Sequence, residues 1–111
     1  MSFPFADRPI ESRREMTKSL REKYPEHVPI LIKMQGRELK KSKYLISESQ
    51  TFLRLMYSIR CENRIFADQG VFLFANNTVI SPHQVVLDVY SRHVSEDGFL
   101  YITVSFENTF G

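Results

Sequence analysis

The chain has a single cysteine, Cys61, so it can form neither an internal disulfide nor a zinc site built from several cysteines. A reducing compartment, cytosol or nucleus, is the expected setting, and the localisation expected is cytoplasmic. No apolar run approaches the roughly 18 residues of a membrane-spanning helix. The opening stretch MSFPFADRPIESRREM lacks the apolar core of a secretory signal. No Gly-rich phosphate loop, nucleophile triad motif or catalytic acid pair is present, and no enzyme activity is expected. His27, His83 and His93 are scattered without metal-ligand spacing, so neither a metal nor another cofactor is expected. No repeat, low-complexity tract or Gly/Ser-rich linker interrupts the chain.

What is present is a globular composition, 42% apolar and 13% aromatic, in 111 residues, which is one domain with a core large enough to fold without staples. The net charge of +2 conceals an asymmetry. Residues 1–60 hold 13 Lys/Arg against 7 Asp/Glu, or +6, and residues 61–111 hold 2 against 6, or −4. The densest basic stretch, KMQGRELKKSK at 33–43, has five cations and one anion. It is either a solvated face or an attractor of acidic peptides, phosphates or anionic lipid. A small net charge and aromatics that alternate with core residues, as in Phe72 and Phe74, argue against a nucleic-acid module.

Local patterning predicts the order helix, β, β, α, β, β, α, β. A polar segment with Met16 and Leu20 at i, i+4 lies between Pro9 and Pro25 and predicts a thinly amphipathic helix over 10–24. HVPILIKM (27–34) and KYLI (43–46) read as strands. SESQ (47–50) reads as a capping box, with Ser47 as N-cap, opening the helix QTFLRLMYSIRCEN. Phe52, Leu55, Met56 and Ile59 give that helix one buried face. GVFLFANNTVI (70–80) reads as strand, turn at Asn76-Asn77, and short strand. Ser81-Pro82 reads as N-cap and N1 of a further helix, HQVVLDVYSRHV. Asp97-Gly98 is a turn before the last strand, FLYITVSF. This is an α+β, β-grasp layout, with the first and last strands side by side and parallel.

Side-chain parity adds a sharper expectation. Leu100, Ile102, Val104 and Phe106 share one face of the last strand, as do Ile30, Ile32 and Met34 of the first. The opposite face should be polar if solvated, yet it carries Pro29, Leu31, Leu45 and Phe99. The N-terminal helix with Leu20 is the available cover, and a thin helix would cover it incompletely. An apolar cleft rimmed by the lysines of KKSK is therefore expected.

Several segments resemble one family. DGFLYITVSFENTFG (97–111) looks like the C-terminal motif of the autophagy-related ubiquitin-like modifiers, the autophagy-related protein 8 and GABA-receptor-associated protein family. KYPEHVPI resembles that family's aromatic-Pro-x-x-aliphatic-Pro segment, here Tyr24, Pro25, Val28 and Pro29. KSKYLI and VFLFANNTVISP resemble its second strand and its Asn-x-Thr turn. The resemblance implies a ubiquitin-like β-grasp with two additional N-terminal helices, organised as a helical extension (1–24), a core (25–107) and a flexible tail (108–111). It implies that Gly111 is conjugated to phosphatidylethanolamine through an acyl adenylate and enzyme thioesters, with Thr109 and Phe110 recognised in the tail. Glycine, without Cβ, can thread a narrow catalytic channel. The implied partners are activating and conjugating enzymes, a processing and deconjugating cysteine protease, and cargo receptors and adaptors bearing aromatic-x-x-aliphatic motifs. The implied location of the conjugate is the autophagosomal membrane, held through the covalent lipid.

Carried over residue by residue, the aromatic pocket falls on Leu20, Pro29, Leu31, Lys43, Leu45 and Phe99. The aliphatic pocket falls on Tyr44, Ile46, Leu55 and Ile59, and the electrostatic rim on Lys41, Lys43 and His27. The chain departs from the family where His27 and Glu62 replace arginines, Met16 a glutamate and Ser47 a proline. Cys61 is expected to be a buried or partly buried structural thiol. Phe3 and Phe5 lie on an arm that either packs on the domain or inserts elsewhere. Two alternatives stay open: a modifier joined to a protein lysine, and an unconjugated trafficking or microtubule adaptor.

Overall fold

The computed structural model describes residues 2–65 and 69–108. Eight elements follow in the expected order: α1 (Ile10–Lys23), β1 (His27–Met34), β2 (Lys43–Ser47), α2 (Phe52–Asn63), β3 (Gln69–Ala75), β4 (Thr78–Ile80), α3 (Val86–His93) and β5 (Leu100–Asn108). The strands form one mixed sheet in the order β2-β1-β5-β3-β4. β1 and β5 are the central parallel pair, with Ile30 opposite Leu100 and Ile32 opposite Ile102. The other pairings are antiparallel.

The front of the sheet carries the core. Ile30, Ile32 and Met34 of β1 and Leu100, Ile102 and Val104 of β5 are buried there with Val71 and Leu73 of β3. α2 closes this layer with Phe52, Leu55, Ile59 and Asn63. Each fully buried Leu, Ile or Phe of this layer contributes about 2 kcal/mol relative to exposure. Asn63 is tolerated at 4% exposure because its amide donates to the Ile59 carbonyl at 2.9 Å and accepts from the Lys40 N–H at 3.0 Å. Asn76 and Asn77 both take positive φ, 50° and 62°, and make the two-residue turn between β3 and β4.

Five expectations are corrected. SESQ does not cap α2, whose N-cap is Thr51 without a side-chain cap. Ser47 instead ends β2, and its hydroxyl meets that of Ser49 at 3.1 Å. At Ser81–Gln84 half of a capping box forms on a turn: Gln84 Oε1 accepts the Ser81 N–H at 2.7 Å, while Ser81 Oγ accepts the His83 N–H at 3.3 Å. The turn it closes does not run on into α3, which starts at Val86. There the Val86 N–H goes to the Gln50 carbonyl instead. Among the described residues ahead of α1 only turns are present: Ala6 and Arg8 donate back to the carbonyls of Phe3 and Phe5, and no second helix forms there. Pro9 disfavours a helical residue 8, which leaves too few residues after Pro4 for a helix. Cys61 is exposed, because the buried positions 52, 55, 59 and 63 turn residue 61 to the far side of α2. Phe72, expected to pack, is also 42% exposed on the back of β3.

Candidate functional site

The back of the sheet is covered where β1 and β2 meet, and the cover is incomplete. On this face Pro29 stands opposite Leu45 and Leu31 opposite Lys43. Leu31 and Phe99 are 1% and 2% exposed, yet neither belongs to the front core. What buries them is α1, which brings Met16 and Leu20, and the N-terminal arm, which brings Phe5. Between these walls lies a cleft of about 410 Å³ with Lys41 and Lys43 among its lining residues. Leu20, Pro29, Leu31, Lys43, Leu45 and Phe99, the six residues carried over from the resemblance, all line it.

Sequence reasoning left Phe5 and Met16 out of this wall. The Phe5 ring stacks on Phe99 with centroids 6.1 Å apart and planes 25° apart. Arg8 and Lys43 sit over the same ring at 5.0 and 5.1 Å. Phe3 meets Tyr101 edge-on at 4.9 Å, with Lys33 over its ring at 4.7 Å. Phe5 takes φ +62°, left-handed backbone that costs a residue with a Cβ about 1–2 kcal/mol, and the ring contacts offset it. The placement of Phe3 and Phe5 on the domain settles where the arm goes. Two aromatics near a chain start were the only signal for it.

A buried polar group fastens α1 to the start of β5. Asp97, 2% exposed, accepts the Phe99 N–H at 2.9 Å through Oδ1 and the Tyr101 hydroxyl through Oδ2. Arg13 Nε lies 3.1 Å from the same Oδ2 as an ion pair, without the alignment of a hydrogen bond. Thr17, the one buried residue of α1, donates to the Asp97 carbonyl at 2.6 Å. Burial, then the hydrogen bond to Asp97 and its charge, push the Tyr101 phenol up to about 12.

β2 is an edge strand, so its outer backbone groups have no strand partner among the described residues. Across this edge, between β2 and α2, a second depression of about 440 Å³ is lined by Tyr44, Ile46, Gln50, Arg54 and Ser58, with His27 and Lys41 among its other lining residues. Of the four residues carried over for the aliphatic pocket, Tyr44 and Ile46 line it. Leu55 and Ile59 do not: both are 0% exposed in the core. Arg54 and Ser58, one residue before each on α2, take that wall. Lys41 sits 4.6 Å over the Tyr44 ring. Glu62 Oε2 accepts the Tyr44 hydroxyl at 2.8 Å. Burial first, then this bond and the carboxylate charge, raise the Tyr44 phenol well above its ordinary range. His27 opens β1 opposite Ser47, in edge contact with Tyr24 at 6.0 Å, and lines this depression, not the cleft.

β5 continues through Asn108, opposite Gln69, so the sheet includes the first residue expected in the tail. Thr109, Phe110 and Gly111 lie outside the described residues. No helix among the described residues is long and apolar enough to cross a membrane.

Known proteins place this geometry. Residues 12–111 match the family described as "Autophagy protein Atg8 ubiquitin like". The chain is 36% identical to autophagy-related protein 8 of Dictyostelium discoideum over 110 residues, 95% of this chain and 90% of that one. It is 35% identical to autophagy-related protein 8a of Arabidopsis thaliana over 107 residues, 93% and 88% of the two chains. The solved structure of Trypanosoma brucei ATG8 superposes with a TM-score of 0.87 over the whole of both chains, at 28% identity. Plasmodium falciparum Atg8, solved in complex with a P. falciparum Atg3 peptide, shares the fold with a TM-score of 0.81 over 95% of this chain and 96% of that one, at 24% identity. The chain is a member of the Atg8 family of autophagy-related ubiquitin-like modifiers, proteins that are not enzymes.

Proposed function

We propose that this protein is conjugated through the Gly111 carboxylate to phosphatidylethanolamine and, on the autophagosomal membrane, recruits partners bearing an aromatic-x-x-aliphatic motif. The observation that carries the recruiting half is the position of the apolar cleft beside the open edge of β2. An extended peptide adds to such an edge through its backbone, while alternate side chains drop into pockets on the two faces. The cleft takes the aromatic residue. The depression beyond Tyr44 and Ile46 takes the aliphatic one. Lys41 and Lys43 attract acidic residues flanking the motif, which speeds encounter more than it deepens affinity. P. falciparum Atg8, which shares the fold, was solved with an Atg3 peptide, so a protein of this fold can hold a peptide.

The conjugation half rests on the family match, which extends to residue 111. A carboxylate is a poor acyl donor. Adenylation with ATP and transfer to enzyme thiols make its carbonyl electrophilic before the lipid amine attacks. Activating and conjugating enzymes are therefore the partners of the C-terminus, and a cysteine protease is its processing and deconjugating partner. The two acyl chains of the lipid anchor the product firmly, where one chain would bind only marginally.

The recruiting half is tested by titrating the isotope-labelled chain with an acidic aromatic-x-x-aliphatic peptide and following backbone amides by NMR. Shifts concentrated in β2, at Leu31 and Phe99, and at Arg54 and Ser58 are expected. Shifts confined to α3 and β4, or none at saturating peptide, contradict it.

A further inference from the structure

The polar side chains around the back-face cleft are all hydrogen-bond donors. Lys41 and Lys43 line it, and Arg8 lies over the Phe5 wall at 5.0 Å. The Tyr44 side chain belongs to the core on the other face, where its hydroxyl hydrogen is given to Glu62. Among the described residues, no carboxylate or carboxamide side chain lines the cleft. The open carbonyls of β2 along the cleft are those an added peptide strand takes with its own backbone, and the rest of the backbone offers little more. β1 is paired on both sides. The Leu20 carbonyl accepts the Tyr24 N–H at 2.7 Å, and the Phe5 carbonyl accepts the Arg8 N–H at 3.0 Å. The Met16 thioether is a weak acceptor and already meets Arg8 Nη1 at 3.8 Å.

We propose that the cleft selects the partner's aromatic residue by the sign of its polar group, taking phenylalanine or tyrosine in preference to tryptophan, and that Met16 sets this preference. The proposal rests on the peptide-docking reading above. An indole N–H can only donate, and buried against donors and apolar walls it loses its water without a replacement. A phenyl ring brings no such group. A phenol oxygen can accept from the ammonium of Lys41 or Lys43, and this charge-assisted bond offsets the unmet hydrogen of its own hydroxyl. Met16 lines the cleft from α1, half-buried, so an acceptor can be introduced there without disturbing the sheet.

The test is calorimetric titration of the full chain with three peptides of one acidic aromatic-x-x-aliphatic sequence, differing only in Phe, Tyr or Trp at the aromatic position. The expected result is that Phe and Tyr peptides each bind wild type about fivefold more tightly than the Trp peptide. Met16→Glu, with its fold checked by circular dichroism, is expected to shift the Trp-to-Phe affinity ratio about tenfold towards Trp. Taking a ratio cancels any general repulsion of acidic flanks by the new carboxylate. Tightest binding of the Trp peptide to wild type, or a ratio unmoved by Met16→Glu, overturns the proposal while leaving the docking site standing. Failure of all three peptides to bind removes the docking reading itself, and the proposal with it.

Discussion

Thr17 of α1 and Gly98 of the turn before β5 approach so closely that a Cβ on Gly98 would lie 2.5 Å from Thr17 Oγ1. The same hydroxyl donates to the carbonyl of Asp97. This contact holds α1 against the sheet, and α1 in turn supplies Met16 and Leu20 to the cleft. The fastening and the candidate site are therefore mechanically linked, although Thr17 and Gly98 do not line the cleft.

Gly98→Ala should accordingly be costly on two counts. Gly98 sits at φ +90°, which a residue with a Cβ avoids, and the added carbon meets Thr17. A loss of about 2–3 kcal/mol in urea denaturation is expected, with a weakened affinity for motif peptides as α1 shifts. The double variant with Thr17→Ala should lose less than the sum of the two single changes, because part of the clash goes with the Thr17 side chain.

Asp97→Ala removes the acceptor of the Phe99 N–H and the Tyr101 hydroxyl and leaves Arg13 without its ion pair. A loss of about 3 kcal/mol is expected from thermal or denaturant unfolding, because the partners left behind are partly buried. A loss under about 0.5 kcal/mol, the level of an ordinary surface change, would mean that this carboxylate does not fasten α1.

The Tyr101 phenol is pushed from 10.0 up to about 12. The folded chain then holds a proton that the unfolded chain releases between those values. The contribution is fully present below about pH 10 and is lost as the pH rises towards about 12. Tyr101→Phe should flatten the fall of stability over this window and remove a late-titrating group from the ultraviolet tyrosinate curve. An identical alkaline slope in wild type and variant would contradict the assignment.

Leu45 is half-buried, lines the cleft and stands outside the front core. Leu45→Ala should weaken binding of a motif peptide about tenfold while lowering stability by about 1 kcal/mol or less. Fluorescence anisotropy for binding and urea unfolding for stability separate the two effects. Equal affinity in wild type and variant would exclude the cleft as the aromatic pocket.

Most of the fold was legible because burial in it follows simple periods. Ile30, Ile32 and Met34 alternate cleanly with Pro29 and Leu31, so both the core face and the apolar back face could be read from parity. The cleft itself followed from that back face. What stayed illegible depends on contacts between distant segments. Thr17 looks like a surface position on a polar helix, and only the approach of Asp97-Gly98 buries it. Phe5 reaches the cleft by a left-handed turn that no periodicity encodes. Ser47-Gln50 and Ser81-Gln84 share one capping pattern. The bond from the glutamine side chain back to the serine N–H forms only at the second, since Ser47 is already paired opposite His27 in the sheet. Leu55 and Ile59 carry the right spacing for a pocket wall, but the same spacing turns them fully into the core.

The account stands most directly on the fate of Gly111. The measurement is incubation of the chain with the family's activating and conjugating enzymes, ATP and phosphatidylethanolamine liposomes, with mass spectrometry of the product. A phosphatidylethanolamine amide on Gly111 is expected for wild type, and none for Gly111→Ala. An adduct on a protein lysine in place of lipid, no adduct at all, or equal adduct from the Gly111→Ala chain would contradict it.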